Sequence, residues 1–295
     1  MLSRRAKSIA GLLAESSGIA LRYRHDPGTT LKADRTPVTR ADRAVERFLT
    51  ERLEDSEAGI RILGEEMYGA RTESYLRAAL NGKMWIIDPI DGTAMFAHGI
   101  PVWGIILGYA EDGILLDGGV VIPEQGEMLL SDGAKTYYGR SARPFGEWDL
   151  ERDLKPLARL TKQTIDDGSL ILISQRAAHD AIFRCCNTLT ALCSTAYFTM
   201  LMCTGRIGAA IHDAKLWDYG GCLPALKNLG VISRPMNGGE GNLLDLRIAP
   251  ENYDLSFTSG VPSFRSRGSF VFAASEETAE RVRQMACYPP ETHHV

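Results

Sequence analysis

Apolar residues recur at helical spacing through the first 55 positions. From Thr39 onward they fall at Ala41, Val45, Phe48, Leu49 and Leu53, which predicts a helix with one buried face. The stretch before it, MLSRRAKSIAGLLAES, combines a basic pair with a short apolar run. Arg22, Arg24 and an Asp-Pro-Gly break follow without a small-residue cleavage site, so an amphipathic first helix is predicted rather than a targeting segment. Short continuous apolar runs over 60–64 and Lys83–Asp88 predict buried strands, with a helix over 72–80 between them. From Val102 to Tyr138 the pattern becomes β-rich (VWGIILGYA, ILLDGGVVIP, EMLLS, KTYYG). Asp-Gly and Gly-Glu turns separate these runs, as in an antiparallel meander.

Residues 141–167 carry few apolar anchors and predict a linker or loose connection. Beyond them LILIS (170–174) reads as a strand, 176–192 and 194–204 as helices, and RIGAAI (206–211) as another strand. Leu216–Leu229 predicts one helix. A strand, a Gly-rich loop at 237–241, irregular structure, the strand FVFAA and a final helix complete the chain. The pattern describes a mixed α/β protein, antiparallel in its first half (about 1–145) and alternating helix and strand in its second (about 150–295), without internal repeats.

Composition narrows the possible functions. The 295 residues are 44% hydrophobic and 24% charged, with a net charge of −4. A basic footprint for nucleic acid is missing, and no apolar run approaches the roughly 18 residues of a membrane span. The six cysteines (185, 186, 193, 203, 222, 287) form no C-x-x-C pair. Five lie in apolar, helix-like stretches, so they read as small buried hydrophobes of a reduced, cytoplasmic protein.

Candidate chemistry begins at WIIDPIDGT (85–93). A buried strand ends at Asp88, Pro89 bars an ordinary helical continuation through Ile90, and Asp91 arrives where a helix could start. Gly92 and Thr93 then offer backbone N–H groups, a natural seat for phosphate. Two aspartates would repel phosphate unless hard cations such as Mg2+ intervene. Taken alone, Asp91 also suits a helix N-cap. Glu65 in GEE (64–66) suits a loop acid, Asp218 in KLWDYGG (215–221) another N-cap, and Asp42 in TRAD (39–42) a capping box. Together Glu65, Asp88, Asp91 and Asp218 make an oxygen cage for two cations, the arrangement that in-line phosphoryl chemistry requires.

The set KADRTPVTRAD (32–42), GEE, WIIDPIDGT and LWDYGG resembles the inositol monophosphatase family over about residues 32–230. That family comprises Mg2+-dependent, lithium-sensitive phosphatases and includes bacterial histidinol-phosphate and 3′-phosphoadenosine 5′-phosphate phosphatases. The resemblance implies a single unit over 1–295 with the layered αβαβα sandwich of the inositol monophosphatase/fructose-1,6-bisphosphatase type, and a homodimer. It implies that Glu65, Asp88 and the Ile90 carbonyl hold one Mg2+, and Asp88, Asp91 and Asp218 a second. A weaker third ion would sit near Glu65, reached by Asp42 through water; Mn2+ is an alternative metal. Gly92 and Thr93 would bind the phosphate, and the Thr93 hydroxyl, oriented by Asp42, would help deprotonate the attacking water. Lys32 occupies a position that is often basic, close to the same ions.

Several positions depart from the family pattern. Arg35 stands where a small residue, often glycine, is usual. Ala94 replaces a polar residue, Gly220-Gly221 replace small residues such as alanine pairs, and the Gly208 region lacks an aspartate. None removes a metal ligand. HGIPVWG (98–104) looks more like the histidinol-phosphatase branch, the alternative being that Pro101-Val102-Trp103 simply begins a packed strand, while Asp213 and Lys215 lie where they could contact a leaving group or stand as solvated surface charges. An acid at 213 suits a cationic amine or the hydroxyls of an inositol. Other phosphatase chemistries lack their motifs: there is no C-x5-R, DPID is not D-x-D, and no G-x-x-x-x-G-K-[ST] loop occurs. His98, His179 and His212 show no H-x-x-x-H spacing for zinc. The expected function is Mg2+-dependent hydrolysis of a small phosphorylated metabolite, inositol monophosphate-like, by metal-activated water. Histidinol phosphate and 3′-phosphoadenosine 5′-phosphate are alternative substrates, and a non-catalytic binding protein of the same fold is the alternative class.

Overall fold

The structure is a computed structural model that describes residues 1–160, 164–258 and 260–288. Helix α1 (Arg4–Arg22) starts where the Ser3 side chain accepts the Ala6 N–H, and it buries Ile9 and Leu13. A small hairpin of β1 (Thr30–Leu31) and β2 (Pro37–Val38) leads into α2 (Arg40–Leu53), opened by a capping box between Thr39 and Asp42. Next come β3 (Ile60–Gly64), α3 (Glu73–Leu80), β4 (Lys83–Asp91) and the short α4 (Thr93–Ala97). The meander is β5 (Gly104–Glu111), β6 (Ile114–Ile122), β7 (Glu127–Asp132) and β8 (Lys135–Arg140). It is followed by α5 (Leu150–Asp153) and β9 (Lys155–Pro156).

The second half contains β10 (Ile171–Ile173), α6 (Gln175–Asp180), β11 (Ile182–Phe183), β12 (Leu189–Thr190) and α7 (Thr195–Cys203). It continues with β13 (Ala209–His212), α8 (Leu216–Gly220), α9 (Leu223–Asn228), β14 (Ile232–Pro235), β15 (Phe270–Ala273), α10 (Glu276–Met285) and β16 (Ala286–Cys287).

Two sheets organise these elements. The first runs β3-β4-β5-β6-β7-β8-β9, parallel only between β3 and β4; the second runs β12-β10-β13-β15-β14. Strand alternation assigns side chains to layers. On β5, Ile105 and Leu107 join Ile9, Leu13, Val45 and Leu49 of α1 and α2, while Ile106 joins Phe198, Trp217 and Leu226 of α7, α8 and α9. On β15, Phe272 faces that same middle layer, and Val271 packs with Ala279 and Val282 of α10. The result is a five-layer αβαβα sandwich. Among the described residues no helix is long and apolar enough to cross a membrane.

Four expectations from the sequence change. The 141–167 stretch is not a loose linker: Trp148 and Leu154 are buried, and β9 extends the first sheet along β8; residues 161–163 lie outside the described part. Helix 176–192 shrinks to α6, because Ile182-Phe183 and Leu189-Thr190 pair as strands with β16 and β10. Short apolar runs do not separate helix from strand by themselves. The 216–229 helix is split into α8 and α9 where the chain presses on the first sheet. A Cβ at Gly221 would lie 2.7 Å from Ile106 Cγ2 and from the Leu107 carbonyl oxygen, and one at Gly118 would lie 2.5 Å from Gly221 Cα. Finally, only Cys203 and Cys222 are buried; Cys186, Cys193 and Cys287 are exposed.

Candidate metal and phosphate site

The first sheet carries its chemistry at the end of β4. There Asp88 pairs with Ile106 but Asp91 pairs with Gly104, so β4 holds one residue more than β5 across this span. Such a bulge re-aims side chains, and Pro89, with no N–H to give, falls inside it. Trp85, Ile87 and Ile90 therefore face α1 and α2, while Ile86 faces the middle layer. Regular alternation would send Asp88 and Asp91 to opposite faces. With the bulge, oxygens of Asp88, Asp91 and Asp218 lie within 4.8 Å of one another.

Asp91, Asp218 and Asp42 are each tied to the start of a different helix. Asp91 does not cap its own helix; that position belongs to Gly92, whose φ of 85° and contact with the Val102 carbonyl exclude a side chain. Instead the Asp91 carboxylate sits on the N-terminus of α7. It accepts the Ser194 hydroxyl and the N–H groups of Thr195 (3.0 Å) and Ala196 (2.7 Å). Asp218, in the first turn of α8, accepts the Lys215 N–H at 2.6 Å. Asp42 serves two purposes. Its Oδ2 accepts the Thr39 N–H of the capping box, and its Oδ1 is 3.1 Å from the Thr93 hydroxyl. That hydroxyl is also 2.9 Å from the Ile90 carbonyl oxygen. Asp88 is buried, and its Oδ1 has no hydrogen-bond partner.

Glu65 follows β3 and lines the same cavity, with one oxygen 2.9 Å from the Lys32 ammonium. Lys32 also pairs with Glu66 at 2.6 Å. The GEE turn is clamped from beneath by Glu46 of α2, which accepts the N–H groups of Glu66 and Met67 at 2.8 and 2.9 Å. Gly64 is required for this approach, because a Cβ there would overlap the Glu46 carboxylate.

So many carboxylates in one buried place repel one another. Burial, then Glu65, Asp91 and Asp218, hold the Asp88 carboxyl well above its usual range. Burial and Asp218 push Asp91 up to about 7 against the restraint of its hydrogen bonds to α7. Burial and Glu65 push Asp218 to about 6. Asp42 rises to about 6, chiefly by burial, which outweighs its hydrogen bonds to Thr39. For Lys32, burial works downward, yet Glu65 and Glu66 hold the ammonium above its ordinary value. The donor set is all oxygen, charge-rich and includes an unpartnered buried atom, so it fits hard divalent cations.

The sequence-predicted residues Glu65, Asp88, Ile90, Asp91, Gly92, Thr93, Asp213, Lys215 and Asp218 line one cavity of about 630 Å³. Asp42 stands behind Thr93. Asp213 lines that cavity paired with Arg265 at 2.9 Å, and the Lys215 ammonium is 5.0 Å above the Trp217 ring. Sequence reasoning missed Ser194, Glu46, Arg176 and Arg265. Ser194 carried a signal, a capping residue ahead of an apolar helical pattern; the others did not.

Comparison with known proteins agrees with the geometry. A family model described as the inositol monophosphatase family matches residues 4–259. A histidinol-phosphatase of Mycobacterium tuberculosis (strain ATCC 25618 / H37Rv) is 44% identical over 92 residues, 31% of this chain. The chain spans only about a third of that relative's length, 33%. An inositol-1-monophosphatase of Mycobacterium leprae (strain TN) is 25% identical over 250 residues, 80% of this chain and 79% of its own length. A solved IMPase structure from Thermotoga maritima superposes with a TM-score of 0.66 at 19% identity, covering 96% of this chain and 98% of that one. At that identity the likeness is one of fold.

Proposed function

Because the chain belongs to the inositol monophosphatase family, whose matched relatives are phosphatases, we propose that it hydrolyses a small phosphate monoester, inositol monophosphate-like, with Mg2+. The observation that carries this is the trio Asp88, Asp91 and Asp218, mutually within 4.8 Å, with Asp88 Oδ1 unpartnered. Together with Glu65 and the Ile90 carbonyl, these residues would hold two or three Mg2+ ions, Mn2+ being the alternative. When bound, the cations offset the carboxylate charge and supply Lewis acidity for in-line attack of water on phosphorus.

The remaining steps belong to the chain. The N–H groups of Gly92 and Thr93 point charge-stabilising dipoles at the phosphoryl oxygens. Thr93 Oγ1 takes a proton from the attacking water as it passes its own to Asp42 Oδ1, 3.1 Å away. Asp42, with a pKa raised to about 6, is ionised yet basic enough to accept it near neutral pH. Lys215 and the far side of the cavity hold the departing alcohol. Histidinol phosphate is the second reading, favoured by the local 44% identity to a histidinol-phosphatase. A homodimer acting in the cytoplasm belongs to the same proposal, and sedimentation velocity tests the dimer.

The test is phosphate release with and without MgCl2 on myo-inositol 1-phosphate, histidinol phosphate, 3′-phosphoadenosine 5′-phosphate and fructose 1,6-bisphosphate. A preference of about 100-fold in kcat/KM, roughly 2.7 kcal/mol, names the ester class. No Mg2+-dependent release from any of them sinks the proposal in favour of a non-catalytic binding protein.

A further inference from the structure

Asp213 is closed off from a ligand by burial. Its side chain is 1% exposed, Oδ1 accepts the Ser174 hydroxyl, and Oδ2 pairs with Arg265 Nη1 at 2.9 Å. Ser174 is itself fixed, since it caps α6 by accepting the Ala177 N–H. The backbone around Arg265 is pinned as well. Arg265 bridges Lys215, and the buried Phe264 accepts the Leu216 N–H at the start of α8. A buried carboxylate closed off in this way orients its partner, and a planar guanidinium is well suited to such a mount. The Arg265 side chain is 45% exposed where it lines the cavity. Among the described residues Asp213 is its one side-chain partner, so donors remain for a ligand.

The other charges on this wall point the same way. Arg176 pairs with Asp180 at 3.4 Å, and Lys215 stands over Trp217. A cationic amine would meet Arg265 and Lys215 with like charge, whereas hydroxyl, carboxylate or phosphate oxygens would find donors.

We propose that Arg265, mounted on Asp213, binds the leaving group, and that the substrate is an ester of an oxygen-rich alcohol, uncharged or anionic, rather than of a cationic amine. This rests on the phosphatase function proposed above and narrows it. The experiment measures kcat/KM with Mg2+ on myo-inositol 1-phosphate, fructose 1,6-bisphosphate and histidinol phosphate, for wild type, Arg265→Met, Arg265→Glu and the double variant Asp213→Asn/Arg265→Met.

Wild type should prefer one of the two oxygen-rich esters over histidinol phosphate by at least about ten-fold, and which one wins separates polyol from anion. Arg265→Met should shrink that ratio by about ten-fold or more, and Arg265→Glu should invert it. The double variant leaves no unpaired buried charge, so the same shrinkage there excludes a folding defect. A wild-type preference for histidinol phosphate, or ratios unmoved by the variants while release persists, overturns this inference alone. No release from any ester overturns the phosphatase function and this inference with it.

Discussion

Replacing Asp88 by asparagine separates a carboxylate built for cations from one built for the fold. Asp88 is 1% exposed, its Oδ1 has no partner, and burial with Glu65, Asp91 and Asp218 raises its pKa well above the usual range. In the metal-free protein its neutral form is therefore favoured. Asparagine is then a close neutral substitute, and metal-free stability should move by no more than about 1 kcal/mol. Metal loading is another matter, because ligands must shed their protons. At pH 6.5, Asp91 with its pKa of about 7 is mostly protonated and Asp218 at about 6 mostly ionised. Mg2+ binding to wild type should thus release protons, from Asp91 and from Asp88. The variant should release fewer. A cation at about 100 times its Kd stabilises the fold by about 2.7 kcal/mol, on the order of 5–10 °C in Tm for a chain of this size, and Asp88→Asn should lose most of it. Turnover should fall at least about 1000-fold, roughly 4 kcal/mol. Calorimetric titration of MgCl2 in two buffers of different ionisation enthalpy counts the protons, and thermal melts give the stability. Wild-type proton release and wild-type Mg2+ stabilisation in Asp88→Asn would refute the assignment.

The metal-free protein should lose stability as pH rises from about 4 to 8. Asp42, Glu66, Asp91 and Glu46 have folded-state pKa values raised to about 6, 7, 7 and 8, so the folded state binds the extra protons and their contribution disappears as pH climbs through those values. Melts with EDTA should show the decline and melts with saturating MgCl2 a flatter profile; a rise with pH in EDTA contradicts the reasoning. Glu46→Ala strips two partly buried N–H groups of their acceptor, costing about 2–4 kcal/mol, and should weaken the Mg2+-induced Tm shift; an unchanged shift would mean Glu65 is positioned without the clamp. Gly221→Ala should cost about 1–3 kcal/mol by overpacking against Ile106 and the Leu107 carbonyl, read from denaturant midpoints. Arg35 holds a φ of 66°, so Arg35→Gly should stabilise by about 1 kcal/mol, and a destabilised variant would show that the arginine side chain contributes more than its backbone costs.

The clustered carboxylates were legible because they sit at ends of strongly patterned elements. An apolar strand that stops at Asp88, and a T-x-x-D box before the α2 periodicity, are local statements about the chain. What converts them into a site is not local. The bulge that puts Asp88 and Asp91 on one face is set by pairing with β5, and the α7 terminus that receives Asp91 lies more than 100 residues away. Arg35 illustrates the same divide. Its departure from glycine was visible in the sequence, whereas the left-handed backbone that makes glycine usual appears only in the β1–β2 turn. The second half was harder to read because its segments are short and uniformly buried. Ala209–His212 is a four-residue strand beginning three residues later than its apolar run, and Leu216–Leu229 is broken by a contact with the sheet rather than by a helix-breaking motif.

That contact joins the fold to the site. Asp218 is in the first turn of α8, and the end of α8 is where Gly220 and Gly221 meet β4, β5 and β6; a Cβ on Gly108 would lie 2.4 Å from the Gly220 carbonyl carbon, and one on Gly220 would lie 2.7 Å from Ile86 Cγ2. The glycines let the helix approach the strand that carries Asp88 and Asp91 closely enough for the three carboxylates to converge. Substituting an alanine pair at Gly220-Gly221 would demand a wider spacing here unless Gly108, Gly118 or Ile86 changed as well. Glycine's cost in helix propensity, about 1 kcal/mol each, is thus set against the distance between Asp218 and β4. A Gly220→Ala/Gly221→Ala variant should consequently weaken Mg2+ binding as well as the fold, and it should do so more than a core substitution of equal stability cost elsewhere, such as Val282→Ala on the buried face of α10.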